Sequence, residues 1–341
     1  MKVAVVGATG AVGREMTRIL EERSFPVDAF VPLASSRSVG RAVRFAGEDH
    51  EVRELSVEAL RGVEVALVSA GADVSRAFIP EAAAAGTTCI DNSSAFRMDA
   101  DVPLSIPEVN PEALAGHPKI VAVPNCTTIT ALLPIGPLHR AVGLRSLMIS
   151  SYQSVSGAGW KGTRELVEQV GKLHGQVEEL GHPDAGALPV GEVFGKTIAF
   201  NVVAKIGEFG PDGYTGEETK IMAEPRKILG LPDLPVLATA VRVPVPVGHA
   251  VVLVAEFDRP ITADEARELL RSAPGVELRD DPASGIYPSP LEAAGLDVAL
   301  VGRIRQVPGR ADALTLFSCA DNLRKGAALD AVQIAEHLFL R

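Results

Sequence analysis

The sequence predicts an α/β protein of two domains: an N-terminal doubly wound parallel sheet and a mixed α+β domain. Three observations predict it. The apolar run Lys2 to Val6 turns through glycines into a helical pattern, which opens a βα unit. Strand and helix patterns then alternate through the first third of the chain, as parallel strands joined by crossovers require. Past about Thr127 the rhythm changes to longer strand-like runs with few helices between them.

In chain order, the first domain offers strands at Lys2 to Val6, Ala29 to Leu33, Val63 to Ser69, Thr88 to Ile90 and Ile120 to Val123. Helical stretches lie between them at Arg14 to Arg23, Val57 to Leu60 and Ser75 to Ala85. The second domain offers strands at Leu144 to Val155, Lys196 to Ala204, Val236 to Val247 and His249 to Phe257. Helices are expected near Lys161 to Lys172 and Gly216 to Leu229, and the Gly/Pro-rich stretch Gly181 to Gly195 reads as a surface loop. Leu329, Val332, Ala335 and Leu338 recur at helical spacing, so Ala327 to Leu340 is expected to form an amphipathic helix packed on the first domain.

The chain has 341 residues, 47% of them hydrophobic, which is enough for two ordinary cores. A net charge of -10 and a pI near 5.3 leave no broad basic surface for phosphodiesters, so nucleic acid and anionic membranes are not expected partners. The apolar start is broken by Gly7 and Gly10 before it could serve as a signal segment, and no later run reaches membrane-spanning length. A cytoplasmic protein with small-molecule ligands is expected. Cys89, Cys126 and Cys319 are odd in number and far apart, which argues against a disulfide framework and against a zinc site; no metal is expected.

After the first strand come Gly7, Ala8, Thr9, Gly10, Ala11, Val12 and Gly13, then a helix. Glycines at a strand-to-helix turn let a pyrophosphate approach the backbone, with the N–H groups of the helix N-terminus facing the anion. This predicts a Rossmann-type dinucleotide site. A carboxylate ending the second strand would bind the ribose 2′-OH of NAD, but here the strand runs into Ser35, Ser36, Arg37 and Ser38. A cation with hydroxyls suits the 2′-phosphate of NADP; a solvated loop arginine is the alternative reading of Arg37.

Val121 to Pro124 leads through Asn125 into Cys126, Thr127, Thr128 and a helical run, so Cys126 sits at a helix N-terminus, where the dipole favours thiolate. Cys126 is the candidate nucleophile, with a structural cysteine as the alternative. Cys89 and Cys319 lie in strand-like apolar surroundings and read as small core residues. Among seven histidines, His249 has the most suggestive context, following Gly248 at a turn between strands, with Arg242 on the flanking strand. Read alone, His249 fits a structural histidine at least as well.

Together these residues resemble the aspartate-semialdehyde dehydrogenase family over essentially the whole chain. The matching stretches are Gly7 to Gly13, Ser35 to Ser38, Ser93 to Asp99, Pro124 to Thr128, Ser151 to Gly159, Glu217 to Lys220 and Arg242 to His249. A minor departure is Thr127, where serine is common after the cysteine; both carry a hydroxyl.

The resemblance implies a glyceraldehyde-phosphate-dehydrogenase-like plan, with residues 1–126 and 323–341 as the NADP-binding domain and 127–322 as the catalytic and dimerisation domain. It implies that Cys126 attacks L-aspartyl 4-phosphate, expels phosphate and forms a thioester that is reduced to L-aspartate 4-semialdehyde, a precursor in lysine, threonine and methionine synthesis. His249 would be the general acid/base and Gln153 would orient the substrate. Arg242 would bind the α-carboxylate, Glu217 the ammonium, and Arg97, Lys220 and Asn125 the phosphate. Read alone, Glu217 and Lys220 would be a surface salt bridge. Ser156, Gly157 and Asn322 would touch the nicotinamide end of the cofactor, and the second domain would form a homodimer. The alternatives are an N-acetylglutamyl-phosphate reductase, disfavoured by the Glu217 contact, a phosphorylating glyceraldehyde-phosphate dehydrogenase, and a non-catalytic NADP-binding relative.

Overall fold

The computed structural model describes residues 1–182, 186 and 188–340. By its contacts the chain divides into two compact units. One comprises Met1–Pro137, Glu224–Asp233 and Leu323–Arg341, the other Leu138–Ala223 and Leu234–Asn322.

In the first unit, β1 (Lys2–Val6) leads into α1 (Ala11–Glu22), followed by β2 (Ala29–Ala34), the hairpin β3 (Ala42–Phe45) and β4 (Glu48–Glu51), and β5 (Arg53–Glu54). Then come β6 (Val65–Val68), α2 (Ala72–Ala84), β7 (Thr88–Asp91), β8 (Ile120–Ala122) and α3 (Cys126–Val142), which carries the chain towards the second unit. Six strands form one sheet in the order β5-β2-β1-β6-β7-β8, every pairing parallel. Its central strands are continuous apolar runs because both faces are covered, and Val3 to Val6 and Val65 to Val68 have no solvent exposure. The chain builds outward from β1 to β2 and then crosses to β6, so the strand order reverses beside β1. A doubly wound sheet opens its ligand crevice at that reversal, beyond the carboxyl ends of the strands.

The second unit holds β9 (Leu144–Gln153), α4 (Trp160–Leu173), α5 (Gly216–Ile228), β10 (Val236–Arg242), β11 (His249–Phe257), α6 (Ala263–Arg271), β12 (Val276–Leu278), α7 (Pro290–Ala293), β13 (Ala299–Val307) and β14 (Arg310–Ala320). The last residues of α5, from Glu224, belong to the first unit. The sheet order is β10-β9-β11-β14-β13-β12, with β10 parallel to β9 and β11 antiparallel to both β9 and β14. The β10 ladder stops at Arg242, two residues before Pro244, because the prolines at 244 and 246 have no N–H to donate. The chain ends in α8 (Leu329–Phe339), which packs on α1 and on β6 and β7 and is preceded by a π-helical turn at Arg324–Ala328.

Three details differ from the sequence-based expectation. Lys196 to Ala204 forms no strand: Ile198, Ala199 and Val203 pack against Leu166 and Leu173 of α4. The Gln169 side chain accepts the N–H groups of Ile198 and Ala199 at 2.7 and 3.1 Å, supplying locally what a ladder would have supplied. Val57 to Leu60 tightens to a 3₁₀ turn at Glu58–Leu60. The hairpin of β13 and β14 lies outside the strand set read from the sequence. In the Gly181 to Gly195 loop, residues 183–185 and 187 lie outside the described residues, and the rest carries no helix or strand.

Candidate active site

The dinucleotide turn is fixed by close backbone packing. Gly7 adopts φ +81° and its N–H donates to Leu33 O at 2.8 Å. A Cβ on Gly7 would stand 2.2 Å from Ser69 O, and one on Gly13 2.2 Å from Gly7 O, so both positions exclude any side chain. Gly10 differs: its Cβ would meet only Gly7 O, at 3.2 Å, and its outer side faces open space. Helix α1 starts at Ala11 without a side-chain cap, and the N–H groups of Ala11, Val12 and Gly13 have no acceptor among the described residues. Orphan N–H groups behind an open glycine fit a pyrophosphate. Thr9 Oγ1 donates to Ser38 Oγ at 3.2 Å, tying this turn to the loop after β2. In that loop Arg37 is exposed and makes no hydrogen bond or ion pair among the described residues.

Cys126 is the first residue of α3 and half-buried. Asn125 caps the helix: its Oδ1 accepts Thr127 N–H at 2.8 Å and its carbonyl accepts Ile129 N–H at 2.9 Å. The hydroxyls of Thr127 and Thr128 are buried without partners among the described residues. Cys89 and Cys319 are fully buried in β7 and β14, and burial pushes both thiols up to about 12.

Arg97 is only 7% exposed, and three of its N–H groups are engaged. Nε donates to Val123 O at 2.9 Å, Nη1 to Glu224 at 2.9 Å and Nη2 to Asn92 O at 2.8 Å. The other Glu224 oxygen accepts the N–H of Asn125 at 2.7 Å.

In the second unit the polar groups gather around His249, the first residue of β11. Ser154 N–H donates to His249 Nδ1 at 3.1 Å, and Ser154 Oγ lies 3.0 Å from the same nitrogen. A backbone N–H can only donate, so Nδ1 is an acceptor and the neutral ring carries its proton on Nε2. That nitrogen is buried with no partner among the described residues. Burial, reinforced by the Arg242 charge, holds the His249 pKa well below the usual imidazole range. A ring in this state donates from Nε2 and cannot accept there. Asn322 Oδ1 braces the arrangement, accepting Ser154 Oγ at 2.9 Å, Ser156 Oγ at 3.1 Å and Gly248 N–H at 3.0 Å. A Cβ on Gly157 would lie 2.7 Å from Arg242 Nη1 and 3.2 Å from His249 Nε2, so this glycine keeps the space beside both groups open.

Arg242, at the end of β10, donates to Ser154 O at 2.7 Å. Gln153 ends the neighbouring β9, and its Nε2 reaches Glu217 at 3.2 Å. Glu217 is 3.4 Å from Lys220 one turn along α5. Gln153, Glu217, Lys220, Arg242 and His249 thus share the second unit, while Arg97, Asn125 and Cys126 belong to the first.

The sequence matches known proteins along nearly its whole length. Residues 2–117 match the semialdehyde dehydrogenase NAD binding domain, and residues 135–325 match the semialdehyde dehydrogenase dimerisation domain. Aspartate-semialdehyde dehydrogenase of Bacillus subtilis is 45% identical over 340 residues, covering 99% of this chain and 97% of that protein. The chain belongs to the aspartate-semialdehyde dehydrogenase family. The Corynebacterium glutamicum member is 48% identical, with 98% of each chain covered. The structure of aspartate semialdehyde dehydrogenase II from Vibrio cholerae, described as complexed with ASA, superposes with a TM-score of 0.92 at 42% identity, covering 98% of this chain and 97% of that one. The chain is therefore an oxidoreductase with a nicotinamide-cofactor-binding domain, the family's N-terminal module.

Three side chains of this family member escape a motif reading. Ser154 supplies both groups that face His249 Nδ1, and Glu224 and Lys227 hold the Arg97 segment. Glu224 and Lys227 each lie seven residues beyond Glu217 and Lys220, two turns along one helix face, and that spacing was the available signal.

Proposed function

We propose that the chain catalyses the NADPH-dependent reductive dephosphorylation of L-aspartyl 4-phosphate to L-aspartate 4-semialdehyde through a thioester on Cys126. The near-full-length match to relatives named aspartate-semialdehyde dehydrogenase carries this reading. Cys126, at the capped N-terminus of α3, attacks the acyl carbon, and phosphate leaves as the thioester forms. His249, neutral with its proton on Nε2, gives a hydrogen bond and then that proton to the oxygen that gains charge at the reacting carbon. Gln153 orients the substrate, Arg242 takes the α-carboxylate and Glu217 the ammonium. Arg97, Lys220 and Asn125 hold the phosphate. When bound, the nicotinamide supplies the hydride that reduces the thioester.

Gly7, Thr9, Gly10, Ala11, Val12 and Gly13 hold the cofactor's pyrophosphate, Arg37 and Ser38 its 2′-phosphate, and Ser156, Gly157 and Asn322 its nicotinamide end. NADP is favoured over NAD because β2 ends at Ala34 and is followed by Ser35, Ser36 and Arg37, with no carboxylate for a ribose 2′-OH. The protein works as a cytoplasmic homodimer. One face of the second unit's sheet exposes Met148 (45%), Tyr152 (42%) and Leu237 (42%), with Met148 directly across from Leu237, and so offers an apolar surface for a second copy.

The test follows NADPH formation by absorbance with aspartate semialdehyde, inorganic phosphate and NADP, beside a reaction with N-acetylglutamate semialdehyde. Turnover of the first substrate that requires phosphate and stops on alkylation of Cys126 is the expected result. Turnover of the second alone would assign the chain to the N-acetylglutamyl-phosphate reductases, and turnover of neither would leave a cofactor-binding protein without this chemistry.

A further inference from the structure

We infer that Glu224 is a positioning residue of this reaction: it competes with phosphate for the Arg97 guanidinium while fixing the backbone that leads into Cys126. The inference rests on the acyl-phosphate reading above and adds to it a residue that sets how tightly phosphate is held.

Glu224 is 1% exposed and has two donors, one for each oxygen. Oε1 takes Arg97 Nη1 at 2.9 Å, and Oε2 takes the N–H of Asn125 at 2.7 Å. Only a carboxylate accepts on both oxygens; the amide of glutamine would turn an N–H towards one of the two donors. One helical turn further on, Lys227 Nζ donates to the carbonyls of Arg97 at 2.8 Å, Asp99 at 2.7 Å and Val102 at 2.7 Å. The α5 end therefore grips the arginine segment twice, by its side chain and by its backbone.

A guanidinium has five N–H groups, and Arg97 uses three of them on Glu224, Val123 O and Asn92 O. The remaining two, one on each terminal nitrogen, are left for an oxyanion. An arriving phosphate meets a cation whose charge is already countered at 2.9 Å, and it is repelled by the Glu224 carboxylate. Phosphate binding is thereby kept weak, which favours departure of the leaving group in the reductive direction. Asn125 moves with the same carboxylate, so a change in the Arg97 pairing is transmitted to the residue that caps the Cys126 helix.

The test compares wild type, Glu224→Gln and Glu224→Asp in the phosphorylating direction, with calorimetric titration of inorganic phosphate into the cofactor-free protein as a readout independent of turnover. Glu224→Gln is expected to lower KM for phosphate and the phosphate dissociation constant by about fivefold or more, the scale of removing one nearby charge at low effective screening. Its kcat falls because one of the two hydrogen bonds is lost, while KM for the aldehyde is unchanged. Glu224→Asp keeps the charge but is one methylene shorter, so it is expected to lose kcat with phosphate affinity within about twofold of wild type. A purely structural role would lower kcat or melting temperature without tightening phosphate. Unchanged or weakened phosphate binding in Glu224→Gln, or tightened binding in Glu224→Asp, would overturn the inference, and either variant alone suffices if the other does not fold. A wild type that turns over without phosphate would instead remove the reaction on which the inference rests.

Discussion

Replacing Asp330 by asparagine should make the protein more stable, and increasingly so as pH rises from about 4 to about 7. Asp330 on α8 and Lys325 on the preceding π-helical turn are both fully buried and hydrogen-bonded to each other. Lys325 also reaches Glu108 at 2.9 Å and Gln333 at 3.0 Å, so one ammonium serves two carboxyl groups. The second Asp330 oxygen has no partner among the described residues. Burial, with the Glu108 charge adding to it and Lys325 opposing, pushes the Asp330 carboxyl up to about 7.

In the unfolded chain the same group titrates near about 3.9. Between those values the folded state keeps a proton that the unfolded state has released, so this contribution to stability falls as pH rises from about 4 to about 7. Each pH unit in the window is worth at most about 1.4 kcal/mol, which sets a ceiling of ~4 kcal/mol for the whole effect. The neighbours act elsewhere: Glu108 is lowered by Lys325 against the cost of its burial, and that stabilisation is lost only below the usual carboxylate range. Lys325 is raised by its two carboxyl partners despite burial, and that stabilisation is lost only on strongly alkaline titration. Asparagine keeps the shape and one acceptor for Lys325 without the charge. Urea midpoints should therefore favour Asp330→Asn only modestly at pH 5, where about a third of the window has been crossed, and by clearly more at pH 8. An equal difference at both pH values, or a less stable variant at pH 8, would refute the reasoning.

Three further outcomes are expected. Cys126→Ala should abolish turnover with NADP affinity intact, and iodoacetamide near pH 7.5 should label Cys126 but not Cys89 or Cys319, whose buried thiols are pushed up to about 12; mass mapping of the adducts checks it. Arg37→Ala should weaken NADP by at least about tenfold, the loss of one charge-assisted contact, while NAD changes little; equal losses measured by fluorescence titration would remove the 2′-phosphate assignment. Met148→Glu, directly across from Leu237 on the exposed sheet face, should shift the species seen by light scattering from dimer towards monomer; an unchanged mass would place the interface elsewhere.

Much of the fold was legible because its signals are local. The Lys2 to Val6 strand, the glycine turn and the run from His249 to Phe257 emerge where the pattern puts them, since burial of alternate or continuous residues is written in the sequence itself. Lys196 to Ala204 misleads for the same reason: an apolar run states that it is buried, not whether a ladder or a helix face buries it. The place of Cys126 at a helix N-terminus was legible from the strand and helix on either side of it, whereas the turn at Gly248 does not by itself separate His249 from an ordinary core histidine.

The sequence by itself determined the two-part α/β plan, the glycine turn after the first strand and the start of the Cys126 helix, because each depends on backbone sterics and periodicity over a few residues. Tertiary structure alone decided how the polar side chains are used. Glu224 meets Arg97 across 127 positions, and Ser154 meets His249 across 95 and so fixes which nitrogen carries the proton. A buried donor must find an acceptor wherever the fold brings one within about 3 Å, and that search in space leaves no periodic trace along the chain.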